Sequence, residues 1–121
     1  MAYANGSYND QSVQILKDNG FLYARTTIQT ENFDIPEDWL RLTTTCRHKN
    51  PRLMELAEKF NEPMASYKWA KHPRLFYLWG HTYEFDTDDN WNVIEEFAEY
   101  LGGRDDIWYA TNIDIFRYIQ A

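Results

Sequence analysis

The sequence predicts an α/β domain built on a parallel sheet, and three observations carry that expectation. Helical patterns alternate with short strand-like runs in the order helix, strand, helix, strand, helix, strand, helix, which implies right-handed crossovers between parallel strands. The run Leu75-Phe76-Tyr77-Leu78-Trp79-Gly80-His81 is apolar without alternation and too short for a helix, the pattern of a strand buried on both faces. With 121 residues, 44% of them hydrophobic, the chain is expected to form one domain, 1–121. A chain of that size buries about two-thirds of its unfolded surface around a single core.

The first helix is expected over 7–19, with Asn9 or Asp10 as cap, Val13, Ile15 and Leu16 on one side, and Gly20 as the left-handed stop. A strand over 21–27 follows at once. Residues 28–50 read as a long polar connection holding Asn32-Phe33-Asp34-Ile35-Pro36 and Thr43-Thr44-Thr45, and a loop of that length in a compact domain is usually functional. Asn50-Pro51 opens the second helix, with Leu53, Leu56, Ala57 and Phe60 at i, i+3, i+4 and i+7, and Pro63 ends it. A connector over 68–73 leads to the strand 75–81. Asp88 or Asp89 opens a third helix whose inner face is Ile94, Phe97, Ala98 and Leu101, stopped by Gly102-Gly103. Residues 107–110 form a short third strand, and Thr111 or Asn112 caps a last helix with Ile113, Phe116 and Ile119 inward. Three strands make a thin sheet with apolar, unpaired edges, so something is expected to cover them.

Composition narrows the function. A formal charge of −7, a pI near 4.8 and the lack of any Lys/Arg cluster argue against a nucleic-acid partner, which needs a basic face. No apolar run approaches the ~20 residues of a membrane span, and no signal peptide is seen in this chain, so a soluble protein is expected, cytoplasmic by default and otherwise of unknown location. Aromatic residues make up 17% of the chain, an excess that suits sugar or peptide surfaces as well as cores. Cys46, the single cysteine, excludes an internal disulfide.

The strongest candidate for chemistry is His81. It stands where the 75–81 strand ends, and ligands of α/β folds sit at the carboxyl ends of parallel strands. His48, His72 and His81 are far apart, none is assigned a second ligand at the i+3 or i+4 spacing, and Cys46-Arg47-His48 lacks the further thiols of a zinc set, so no metal centre is expected within the chain. Asp86-Thr87-Asp88-Asp89-Asn90 opens like a calcium loop but has Trp91 and Phe97 where glycine and a bidentate glutamate belong; it reads as an acidic helix start. There is no glycine-rich phosphate loop and no G-x-S-x-G turn. Arg25 lies in an otherwise apolar strand, where a charge must be paired or face a site.

Several segments together resemble the C-terminal half of a polysaccharide deacetylase with the NodB-type deformed (β/α) barrel. They are Tyr3-Ala4-Asn5-Gly6-Ser7-Tyr8-Asn9, Gly20 through Thr27, Thr45-Cys46-Arg47-His48, Leu75 through Phe85 with its Trp-Gly-His-Thr-Tyr-Glu-Phe, and Asp106-Ile107-Trp108-Tyr109-Ala110-Thr111-Asn112. The resemblance implies about three parallel strands and four helices of a partial barrel, and metal-dependent removal of acetyl groups from a polysaccharide or amino sugar. It further implies that His81 is the general acid for the leaving amine. Tyr3, Arg25, Trp39, His48 and Trp79 are the candidate substrate-binding residues, Trp39 through an Asp38-Trp39 pair similar to the family's groove motif.

The Thr-Phe-Asp-Asp and His-Ser-x-x-His motifs that hold the family's metal are absent from these 121 residues. The chain itself is therefore expected to carry no cofactor, while a divalent, zinc-like metal is expected in a full-length parent. Ala4 and Asn5 also stand where the family has proline and often arginine. The expected partners are an acetylated carbohydrate and either a second copy of the chain or an N-terminal half-barrel. Met1 falls inside an expected strand, which suggests truncation of the gene. The rival reading is a non-catalytic carbohydrate-binding or assembly protein derived from the same fold.

Overall fold

The computed structural model describes residues 1–63 and 72–121; most of the expected connector 68–73 lies outside the described residues. The chain is a mixed α/β structure with five α-helices among the described residues and short parallel strand pairs.

Strand β1 (Arg25–Gln29) pairs in parallel with β2 (Leu42–Thr44), and Ala2 adds a parallel bridge to Arg25 on the opposite side of β1. Strand β3 (Cys46–Arg47) pairs in parallel with β4 (Leu78–Trp79), Cys46 opposite Leu78 and Arg47 opposite Trp79. Only a bend at Thr45 separates β2 from β3, and Thr45 itself is tied to both sides: its carbonyl accepts from Glu31 N and its N–H donates to Tyr77 O, each at 2.9 Å. The run 42–47 thus joins β1 to β4. In-register side chains share a face, so Cys46 and Leu78 look one way and Arg47 and Trp79 the other.

This corrects the expectation for 28–50, whose second half is sheet. Threonine is β-branched and suits strands, and here its polarity is absorbed: Thr26 Oγ1 donates to Leu42 O at 2.9 Å and Thr44 Oγ1 to Ile28 O at 3.0 Å. The strand expected over 21–27 begins at Arg25, and of the 75–81 run only Leu78 and Trp79 are strand. Residues 107–110, which are among those described, are irregular and not the expected third strand. Tyr109 draws the segment back onto the preceding helix, its hydroxyl donating to Leu101 O and accepting from Arg104 N.

Helix α1 (Asp10–Asp18) is capped by Asn9 Oδ1, which accepts from Ser12 N at 2.8 Å. Val13 is buried, but Ile15, expected inward, is exposed. Helix α2 (Leu53–Phe60) follows Asn50, whose Oδ1 accepts from Arg52 N, and buries Leu53, Leu56 and Ala57 as its spacing requires. Helix α3 (Tyr83–Thr87) was not expected, which makes five helices instead of four. Helix α4 (Trp91–Leu101) starts later than Asp88 or Asp89 and exposes Ala98, while Leu101 is buried. Helix α5 (Asn112–Gln120) is capped by Thr111; Ile113, Phe116 and Ile119 are only half-buried, and Phe116 meets Trp39 edge-on at 5.3 Å.

The core is in two parts. Tyr3, Val13 and Ala24 pack beside Tyr8, Leu16 and Leu40 between α1 and β1. Cys46, Leu53 and Leu56 pack with Phe76, Leu78 and Phe97, joining α2 and α4 to one face of the β3–β4 pair. No helix of the described residues is long and apolar enough to cross a membrane.

Candidate functional site

The opposite face of the β3–β4 pair is charged. Trp79 lies there with the Arg25 guanidinium carbon 4.5 Å and that of Arg47 5.4 Å from its ring centroid. Two residues past β4 stands His81, ring centroids 6.0 Å from Trp79 and 5.5 Å from Tyr83. The chain then turns into α3, whose second residue, Glu84, is 4% exposed.

Glu84 organises the site. Its Oε1 is 2.8 Å from His81 Nδ1, Arg47 Nη2 reaches both its oxygens, and Lys49 Nζ is 2.8 Å from Oε2. Lys49 also pairs with Asp88 at 2.6 Å. The Arg47 guanidinium above all, then Lys49 and His81, holds the Glu84 carboxyl far below the usual carboxylate range. An ionised carboxylate only accepts, so the proton of that hydrogen bond belongs to His81 Nδ1. Nε2 is left without a partner among the described residues, on a side chain that is 52% exposed. Glu84, three residues after His81, thus serves as its hydrogen-bond acceptor.

His48 is buried behind this face. Its ring lies 4.4 Å from that of Phe85, and a Cβ placed on Gly80 would stand 1.9 Å from its Nδ1. Burial pushes its pKa down, so the ring is neutral, and neither nitrogen has a hydrogen-bond partner among the described residues. His48, expected to touch substrate, is thus 2% exposed and packed under Gly80. Tyr3 is also core, its hydroxyl donating to Leu40 O at 2.7 Å and its ring stacked on Tyr8 at 4.8 Å. Trp39 is buried against Phe116, and it lines a cleft of about 300 Å³ with Leu42, Tyr77, Asn112 and Ile115. Among the described residues that cleft presents no carboxylate, imidazole or cation. Of the candidates, then, the structure brings together His81, Trp79 and Arg25, seats His48 buried behind them, and places Tyr3 and Trp39 elsewhere.

Sequence reasoning missed Arg47, Lys49 and Glu84. The visible signal was the His-x-x-Glu spacing at 81 and 84, together with two cations at alternate positions of one polar run.

These residues do not fit a resident metal. Both Glu84 oxygens are engaged by Arg47, Lys49 and His81, His81 Nδ1 is engaged by Glu84, and among the described residues no three His, Cys, Asp or Glu side chains could hold an ion together. What the group can do is present a tautomerically fixed imidazole next to an aromatic and cationic surface. Compared with known protein families, with curated proteins and with solved structures, the chain matches none.

Proposed function

We propose that this chain is the acid-bearing segment of a carbohydrate deacetylase, equivalent to the C-terminal half of a deformed (β/α) barrel and acting on an acetylated polysaccharide or amino sugar. The observation that carries the reading is the His81–Glu84 pair at the carboxyl end of β4. Amide cleavage expels an amine, a very poor leaving group unless protonated, and a positioned imidazole supplies that proton. Glu84 keeps Nδ1 protonated and turned inward, so the exchangeable proton is carried at Nε2. Tyr83 beside it, 65% exposed, offers an aromatic face of the kind that sugars lie against. The divalent metal of such enzymes belongs to the remainder of the barrel in this proposal, and the short parallel strands with open edges are what that remainder, or a second copy, would cover.

The test joins the chain to a polypeptide carrying the Asp and His metal motifs and measures amine release from an acetylated oligosaccharide. His81→Ala should lower kcat by about 10² to 10⁴, with bound metal and melting temperature unchanged. Full activity in the variant, or a loss matched by metal release or unfolding, would return His81 to a structural role.

One observation favours the non-catalytic alternative. Tyr83, Trp108 and Tyr118 are 65%, 58% and 69% exposed, and the last two meet at 5.4 Å, a surface a glycan could occupy without chemistry. Glycan binding that Trp108→Ala abolishes, with no turnover in any assembly of the chain, would select it.

A further inference from the structure

The charges around Trp79 do not cancel. Arg25, Arg47 and Lys49 face two carboxylates, Glu84 and Asp88, and the pairings account for all but one cation: Arg47 and Lys49 take Glu84, and Lys49 also takes Asp88. Arg25 has no carboxylate among the described residues. Its side-chain hydrogen bond runs from Nη1 to the adjacent Thr26 carbonyl at 3.1 Å. Residues 64–71, which lie outside the described set, contain no Asp or Glu, so no acidic partner comes from there. Two further donors at the same place, Arg47 Nε and Trp79 Nε1, are buried without an acceptor among the described residues.

A half-buried guanidinium without a counter-ion is unusual in any chain and more so in one of net charge −7. The guanidinium lies over the Trp79 ring, and only Nη1 is bonded within the described residues, so Nε and Nη2 remain for a planar, bidentate acceptor. One uncompensated positive charge matches a monovalent anion better than a doubly charged phosphate. We propose that Arg25, held on Trp79 beside Arg47, is a carboxylate-recognition site, and that its ligand is the carboxylate of a sugar acid. The assignment of that ligand as substrate rests on the deacetylase reading and names its class: a glycan bearing uronic-acid or similar carboxylate groups. The carboxylate site itself does not depend on that reading.

The same chemistry could come from acetate, the small product of deacetylation, so the experiment separates the two. The full 121-residue chain is titrated calorimetrically with sodium glucuronate, N-acetylglucosamine, and sodium acetate at matched ionic strength. Glucuronate should bind at least about tenfold more tightly than either of the others, a margin of about 1.4 kcal/mol, and Arg25→Gln should reduce it to the level of N-acetylglucosamine at an unchanged melting temperature. Glucuronate and N-acetylglucosamine binding alike, acetate matching glucuronate, or a folded Arg25→Gln variant retaining the preference would each overturn the proposal. Should that variant not fold, salt gives the second measurement on the native chain. Raising NaCl from about 50 to about 500 mM must weaken glucuronate severalfold and leave N-acetylglucosamine unaffected; an equal response of both ligands overturns it. The readout is binding by this chain alone. Its failure is therefore distinct from failure of the His81 turnover test, and intact discrimination with no deacetylation would sink only the deacetylase reading.

Discussion

Gly80 is the position where a single methyl group should do the most damage. The added Cβ of Gly80→Ala would stand 1.9 Å from His48 Nδ1, 2.8 Å from its Cε1 and 3.0 Å from its Cγ. Favourable carbon contacts lie at about 3.5–4.0 Å, so the ring or the strand end must give by about 1.5 Å. The residue has little room to do so, being 2% exposed, with its ring 4.4 Å from that of Phe85 and its backbone N–H bonded to Trp79 O at 3.0 Å. Overpacking of this kind typically costs about 1–3 kcal/mol, and for a domain of this size each kcal/mol lowers the melting temperature by about 3–6 °C. A fall of about 5–15 °C is expected in a calorimetric or dichroism melt. His48→Ala opens the space the new methyl needs, so the same Gly80 change made in that background should cost about 1 kcal/mol or less, giving a coupling energy of about 1–2 kcal/mol in the double-mutant cycle. If the Gly80 variant melts like the parent, or the two changes simply add, the contact between His48 and Gly80 is not what holds the strand end.

Acidification should weaken the fold in two stages. Burial holds His48 below its ordinary 6.5, so below that pH the unfolded chain takes up a proton the folded chain refuses; Glu84, held below its ordinary 4.5 by Arg47 and Lys49, adds a second loss below that value. Urea midpoints measured from about pH 8 to about pH 3 should decline accordingly, and His48→Gln should remove the first stage alone; a parent curve flat from pH 7 to 5 contradicts the buried neutral ring. At the alkaline end burial pushes the Cys46 thiol up to about 11 from its ordinary 9.0, so above pH 9 the unfolded chain loses a proton the folded one keeps and stability should fall toward pH 11. The same protection predicts that native protein resists iodoacetamide at neutral pH, and prompt labelling under native conditions would refute it.

What the sequence made legible was local. The stripe of Leu53, Leu56 and Ala57 follows from a 3.6-residue period and a start marked by Asn50-Pro51, both contained within a dozen residues. Gly20 and Gly103, at φ of 78° and 69°, stop their helices where only glycine is unstrained. Strand 42–47 escaped because its pairing is remote: Leu42 meets Arg25 and Cys46 meets Leu78. Three consecutive threonines look like loop to any reading that weighs polarity, and the Thr44 and Thr45 hydroxyls become compatible with a sheet only once the carbonyls of Ile28 and Leu75 are in place. The strand proposed at 107–110 failed for the converse reason, since an apolar, aromatic run needs an edge to pair with and Tyr109 instead finds hydrogen bonds at the end of α4.

The missed strand is also why the candidate site was only half legible. His81 could be singled out by its place after an apolar run, a property of its own neighbourhood. The nitrogen it presents is decided elsewhere: the run 42–47 and the turn after it deliver Arg47 and Lys49 to Glu84, and their two positive charges keep that carboxylate ionised, which in turn assigns the proton to His81 Nδ1. The same two cations consume the available carboxylates and leave Arg25 without one. The orientation of the imidazole and the unmatched charge on Trp79 are thus two consequences of one arrangement, in which a polar strand brings two cations to one buried glutamate.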